Sequence, residues 1–336
     1  MADAHKGKRE GFRQRLVAWL DSYQRTHSWM GFPLAVAKKF GDDQAGNLAA
    51  LIAYYGFFSL FPLLLALVTI LGFVLSDNPA LQERILSSAL ANFPVLGDQL
   101  RQNVRSLNGS GVALALGLAG LLWAGLAAIT ATENAMNEVW DVRLRDRPRF
   151  VASKLRGLLM LVVLGGGVIL TTMLAGFGAG SQRLELPVRM LGFVLSFGVN
   201  TALFLLAFKV LTDVPLQWRQ LLPGAVVGSS AWVILQAVGG YVVNNELQRA
   251  NQTYGAFAVV IGLLSWLYLQ AQITLIAAEL NVVRARRLWP RRLTQDTPLS
   301  EADQRTLHRL AEVEERIPEE DVNVRLVNPD STTRRS

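Results

Sequence analysis

The chain has 336 residues, a net charge of +7, an apolar fraction of 51%, a charged fraction of only 18% and a mean hydropathy of +0.29. Soluble domains of this length carry more charge, and the apolar residues here gather into runs long enough to cross a bilayer. Cysteine is absent, which excludes disulfides and thiolate metal sites, and His5, His27 and His308 all fall outside the apolar runs.

Residues 1–46 form a basic arm. Phe12, Leu16, Trp19, Leu20 and Tyr23 recur at helical spacing beside Arg9, Arg13 and Arg15, which predicts an amphipathic helix on the membrane surface. No apolar leader core precedes it, so no cleavable signal peptide is expected. A second short apolar stretch, Trp29 to Phe40, ends in Lys38-Lys39. A helix rises about 1.5 Å per residue, so roughly 20 apolar residues span a hydrocarbon core of about 30 Å. On that measure residues 47–285 form one transmembrane domain with six spans, at about 49–75, 112–136, 155–178, 188–211, 221–243 and 256–283. Pro62 lies inside the first span and Pro223-Gly224 opens the fifth, where proline is tolerated in a first helical turn. Residues 80–107 alternate at helical period, and Pro94 and Gly97 divide them into an expected pair of amphipathic helices on the outer face. The fold class is therefore all-α: a polytopic membrane protein of six transmembrane helices with amphipathic interfacial helices. Residues 286–336 form a polar tail. In it Ser300 and Asp303 predict a capping box for a short helix, with disorder expected beyond Pro318.

Basic residues cluster before the first span, in the loop from Arg143 to Arg156 and after the sixth span at Arg284, Arg286 and Arg287. The positive-inside rule then places both termini in the cytoplasm, and the charge is read as contact with anionic headgroups rather than with nucleic acid. Polar groups inside spans are costly and face the bundle interior. The candidates are Glu133 and Asn137, one turn apart on span two; Gln236 on span five; and Gln272, Glu279 and Asn281 on span six. Two readings are open for them. They make interhelical hydrogen bonds and pair with loop arginines, or they line a polar cavity open to the cytoplasm that takes a headgroup or couples to protons. No metal site, cofactor or catalytic constellation is predicted, and no enzyme activity.

Several motifs resemble the YihY/BrkB family: Ala53-Tyr54-Tyr55, Ser59-Leu60-Phe61-Pro62-Leu63, Leu122-Trp123, Pro223-Gly224-Ala225 with Trp232, Tyr254-Gly255, Trp266-Leu267-Tyr268 and Ala278-Glu279-Leu280-Asn281. The likeness covers about residues 40–285 in order. One departure is Ala277-Ala278-Glu279 where the family usually has Gly-Ala-Glu. The resemblance implies a six-helix bacterial inner-membrane protein, with an association with virulence and serum resistance. It also implies a part in moving anionic lipid or lipopolysaccharide precursors. The family's old label, ribonuclease BN, implies tRNA processing, which needs acid–base groups or a metal site near bound RNA; the chain offers neither. The expectation is transport of an amphipathic anionic lipid, with membrane lipids as partners and a homo-oligomer compatible with the sequence. The alternative is a membrane scaffold whose tails recruit partners.

Overall fold

The computed structural model describes residues 21–74, 111–148, 150–179, 186–242, 256–294 and 297–326, and among them there is helix but no strand. After a short helical stretch at 21–26 come α1 (Ser28–Asp42), α2 (Ala45–Val74), α3 (Gly111–Val139), α4 (Phe150–Ala179), α5 (Leu186–Val210), α6 (Trp218–Val242), α7 (Ala256–Arg286) and α8 (Glu301–Glu312). The long helices α2 to α7 occupy the six predicted apolar runs, and several extend a turn further into polar sequence. The predicted outer pair at 80–107 lies outside the described residues, as does most of the predicted surface helix from Phe12 to Tyr23. By length and hydropathy, Met190–Val210, Trp218–Gly239 and Val260–Arg286 are each apolar enough to cross a membrane, and Ala45–Leu60 is a shorter apolar helix.

The helices close into a ring in chain order. α2 packs on α3, α3 on α4, α4 on α5, α5 on α6, α6 on α7, and α7 returns to α2 while also touching α1 and α3. α7 is thus the hub. α5 is the opposite case: only 6% of its apolar window is buried inside the protein, and Met190, Leu191, Phe193 and Val194 point outward. The ring is tightest where α6 meets α7. A Cβ on Gly224 would lie 2.1 Å from the Ala277 carbonyl oxygen, and one on Gly239 would lie 2.1 Å from the Trp266 ring. Small residues let these backbones approach, as is common between helices in membranes.

Much of the described core collects at one end of the ring, where α1, the turns after α3 and α5, and the segment after α7 come together. Val36, Val139, Trp140, Val142, Phe208, Leu211, Val282 and Leu288 are all buried there. Two helices stop at this end by the same device. Asp141 and Arg287 adopt left-handed backbone at φ 46° and 52°. Each is followed by a paired closure: Val142 N donates to the Asn137 carbonyl at 2.8 Å after α3, and Leu288 N to that of Val283 at 3.0 Å after α7. This is the Schellman arrangement, which satisfies the last carbonyls of a helix. It is unusual in using residues other than glycine, although aspartate tolerates the conformation.

α8 begins with the predicted capping box. Asp303 N donates to Ser300 Oγ at 3.1 Å, and Ser300 N donates to Asp303 Oδ2 at 3.1 Å. The chain then returns to the loop after α3, where Leu144 N donates to the Val313 carbonyl at 3.1 Å and Arg145 N to that of Glu315 at 3.0 Å. Residues 321–326 are irregular, and Arg145 Nη1 reaches the Glu320 carbonyl at 3.2 Å.

Candidate functional site

α1 and its C-terminal cap Asp43 carry two i,i+4 pairs of opposite charge, Lys38 with Asp42 and Lys39 with Asp43. Successive helix positions are about 100° apart, so the two pairs serve different neighbours. Lys38 and Asp42 turn to the tail, where Lys38 lies 3.5 Å from Asp303 and Asp42 pairs with Arg291 at 2.7 Å. Lys39 and Asp43 turn into the bundle and are buried.

The Lys39 ammonium, which is 0% exposed, contacts Asp43 Oδ2 and donates to Asp141 Oδ1 at 3.1 Å and the Val139 carbonyl at 3.2 Å. Its three N–H donors are thereby all used. The second oxygen of Asp141 accepts from Arg286 Nη1, and Arg286 Nη2 donates to the Trp140 carbonyl. The left-handed stop of α3 therefore sets Asp141 between a lysine from α1 and an arginine from α7. Beside them Glu279, also 0% exposed, is within hydrogen-bonding reach of Asp43. Both Glu279 carboxyl oxygens and Asp43 Oδ1 are buried, with no hydrogen-bond donor among the described residues. Burial pushes the Asp43 carboxyl up to about 6, against the pull of the Lys39 ammonium. Burial would push Lys39 down, but Glu279, Asp141 and Asp43 outweigh it and hold the ammonium above the ordinary lysine range.

The other predicted site residues go elsewhere. Asn137 donates to Asp213 Oδ2 at 2.7 Å and accepts from Asp213 N at 2.9 Å, tying the end of α3 to the turn after α5. Asp213 also accepts from Arg156 on α4, and Glu133 accepts from Ser153 at 2.6 Å with Arg156 at 3.9 Å. Asn281 accepts from Gly224 N at 2.7 Å, locking α7 to α6 at their closest approach. Gln236 and Gln272 are half-buried. Gln272 stands two turns, roughly 10 Å along the axis, from Glu279. The six candidates are thus distributed: Glu133 and Asn137 share one polar group, Glu279 belongs to the ion cluster, and Asn281 makes a helix contact.

Four members of the cluster escaped sequence reasoning as site residues. Lys39 and Arg286 look like positive-inside flanks, and Asp43 and Asp141 look like loop acids. The available signal was weak: a lysine four residues before an aspartate, and a lone acid where an apolar helix stops. Among the described residues no group of histidines, aspartates and glutamates has the arrangement to hold a metal ion.

A family model described as virulence factor BrkB matches residues 36–301, which include every member of this cluster. The chain belongs to the BrkB family. The inner membrane protein YhjD of Escherichia coli is 23% identical over 265 residues, covering 73% of this chain and 78% of its own length. A UPF0761 membrane protein of Azotobacter vinelandii is 29% identical over 289 residues, covering 83% and 67%. YfkH of Bacillus subtilis, whose name describes it as ribonuclease-like, is 22% identical over 272 residues, covering 77% and 96%. No solved structure matches the chain. The relatives YhjD and the UPF0761 protein are named as membrane proteins.

Proposed function

We propose that this membrane protein crosses the bacterial inner membrane six times, with α2 to α7 as spans and both termini in the cytoplasm, and that it transports an amphipathic anionic lipid. The single observation that carries the transport reading is Glu279. It is an acid deep in an apolar helix at the hub of the ring, and its carboxylate oxygens have no donor among the described residues. An ionisable residue in a span is expensive and marks a pathway or relay more often than a structural contact. The substrate class follows from cations near the same end. Lys209 stacks over the half-exposed Trp218 ring at 4.3 Å, and Arg156 keeps about a third of its side chain exposed. Basic and tryptophan side chains at a membrane interface suit an anionic headgroup.

The test is lipid translocation in proteoliposomes with labelled anionic and zwitterionic lipids, comparing wild type with Glu279→Gln. Protein-dependent movement of the anionic lipid, impaired by the substitution, is the expected outcome. Movement of neither lipid under any ion gradient would remove the transport reading. The alternative, a membrane scaffold, draws its support from α8 and its ties to the 143–147 loop. It predicts that deleting residues 293–336 abolishes function while Glu279→Gln is silent.

A further inference from the structure

The cluster at the meeting of α1, α3 and α7 does not balance. Three acids, Asp43, Asp141 and Glu279, face two bases, Lys39 and Arg286, all of them largely withdrawn from water. Of the charges on neighbouring elements, Arg309 on α8 acts on Arg286, whereas Lys38 and Asp42 on α1 face the tail. Asp141 is satisfied, with one oxygen on Lys39 and the other on Arg286. The deficit therefore falls on Asp43 and Glu279. Among the described residues they hold three buried oxygens without a donor, Asp43 Oδ1 and both oxygens of Glu279, and the two side chains are within hydrogen-bonding reach of each other. Two carboxylates cannot hydrogen-bond to one another, and two like charges in contact away from water do not both ionise. An uncompensated charge here would carry a desolvation cost that no neighbour repays.

We propose that Asp43 and Glu279 share a single proton and form a proton-binding site joining α1 to α7. With that proton in place, one carboxyl O–H donates to the facing carboxylate, and the cluster carries two positive and two negative charges. The proposal goes beyond the transport reading, since it stands whatever the protein moves. The unpartnered Glu279 carboxylate, wholly buried and aimed at Asp43, is what separates this cluster from an ordinary group of acids. The elevated carboxyl of Asp43 agrees with the geometry.

The test is infrared spectroscopy of the purified full chain in lipid nanodiscs, in water and in deuterium oxide, across neutral pH. The expected result is a protonated-carboxyl carbonyl band that shifts in deuterium oxide. The band should be lost in Asp43→Asn and also in Glu279→Gln, because either substitution removes one acid and lets the other ionise against Lys39. Asp303→Asn, which changes a buried acid outside the cluster, should leave it unchanged. Absence of the band in wild type at neutral pH, or its survival in either cluster variant, would overturn the proposal. If one cluster variant fails to fold, the other still assigns the band, and absence of the band in wild type overturns the proposal in either case. The band should be indifferent to exchange of sodium for potassium or a bulky organic cation, and its displacement by a small cation would mean that a cation, not a proton, occupies the site. None of these readings involves lipid movement, so failure here and failure of transport are separable.

Discussion

Asp43 and Asp303 are the same residue type at nearly the same depth, 6% and 3% exposed, yet their carboxyls move in opposite directions. Burial pushes on both. At Asp303 it is outweighed by hydrogen bonds from Ser300, from Arg291 at 2.8 Å and from the backbone N–H groups of Arg292 and Ser300, which bring the carboxyl down to about 2. At Asp43 burial is the largest influence, Lys39 serves only one oxygen and Asp141 adds negative charge, and the carboxyl rises to about 6. Depth alone therefore does not set the charge state of a buried acid. The number of donors per oxygen does. One helix, α1, supplies a lysine to each site, and the tail site is saturated where the bundle site is starved.

The comparison breaks most visibly if the starved site loses its cation. Lys39→Met leaves Asp43 and Glu279 without a buried cation and Asp141 with Arg286 alone, and is expected to destabilise the protein by roughly 3–5 kcal/mol. The unfolding midpoint in detergent measures this, and a second substitution, Asp43→Asn, should recover much of the loss. At the saturated site Asp303→Asn is expected to cost about 1–3 kcal/mol, since it weakens several charge-assisted bonds and strands donors from Arg291. Smaller again is Ser300→Ala, which removes half of the capping box of α8 and should cost about 1 kcal/mol. That loss should appear as faster hydrogen exchange in α8 and leave α7 unchanged.

The two acids also predict opposite slopes against pH. The Asp303 carboxyl lies below the unfolded value of about 3.9, so its contribution is present above that value and is lost as pH falls through about 2. The Asp43 carboxyl lies above it, so its contribution is present below about 4 and is lost as pH rises through about 6. Thermal midpoints should therefore decline between about pH 4 and 6 in wild type, and Asp43→Asn should flatten that decline. A decline that survives Asp43→Asn would assign it to another group.

Helix α7 shows how far the sequence could be read. Its unbroken apolar run marked a long helix, and Glu279 and Asn281 stood out because polar groups in such a run need a buried partner; both proved fully buried. The same reasoning picked out Glu133 and Asn137, and Ser300 with Asp303 announced the start of α8. The partners were not legible. Lys39 meets Asp141 across 102 positions and Arg286 meets Asp141 across 145, and neither spacing leaves a local trace.

What the sequence determined by itself, then, is whatever depends on residues within a few turns of each other: helix length from apolar runs, capping from a serine and an acid, and family membership from motifs in order. The tertiary structure alone decided which acid meets which base. The left-handed stop of Asp141, the close approach at Gly224 and the two faces of α1 select those encounters, and each depends on how the helices pack. A buried charge is compensated by donors that reach it in space, and those that reach Asp141, from Lys39 and Arg286, lie 102 and 145 positions away along the chain.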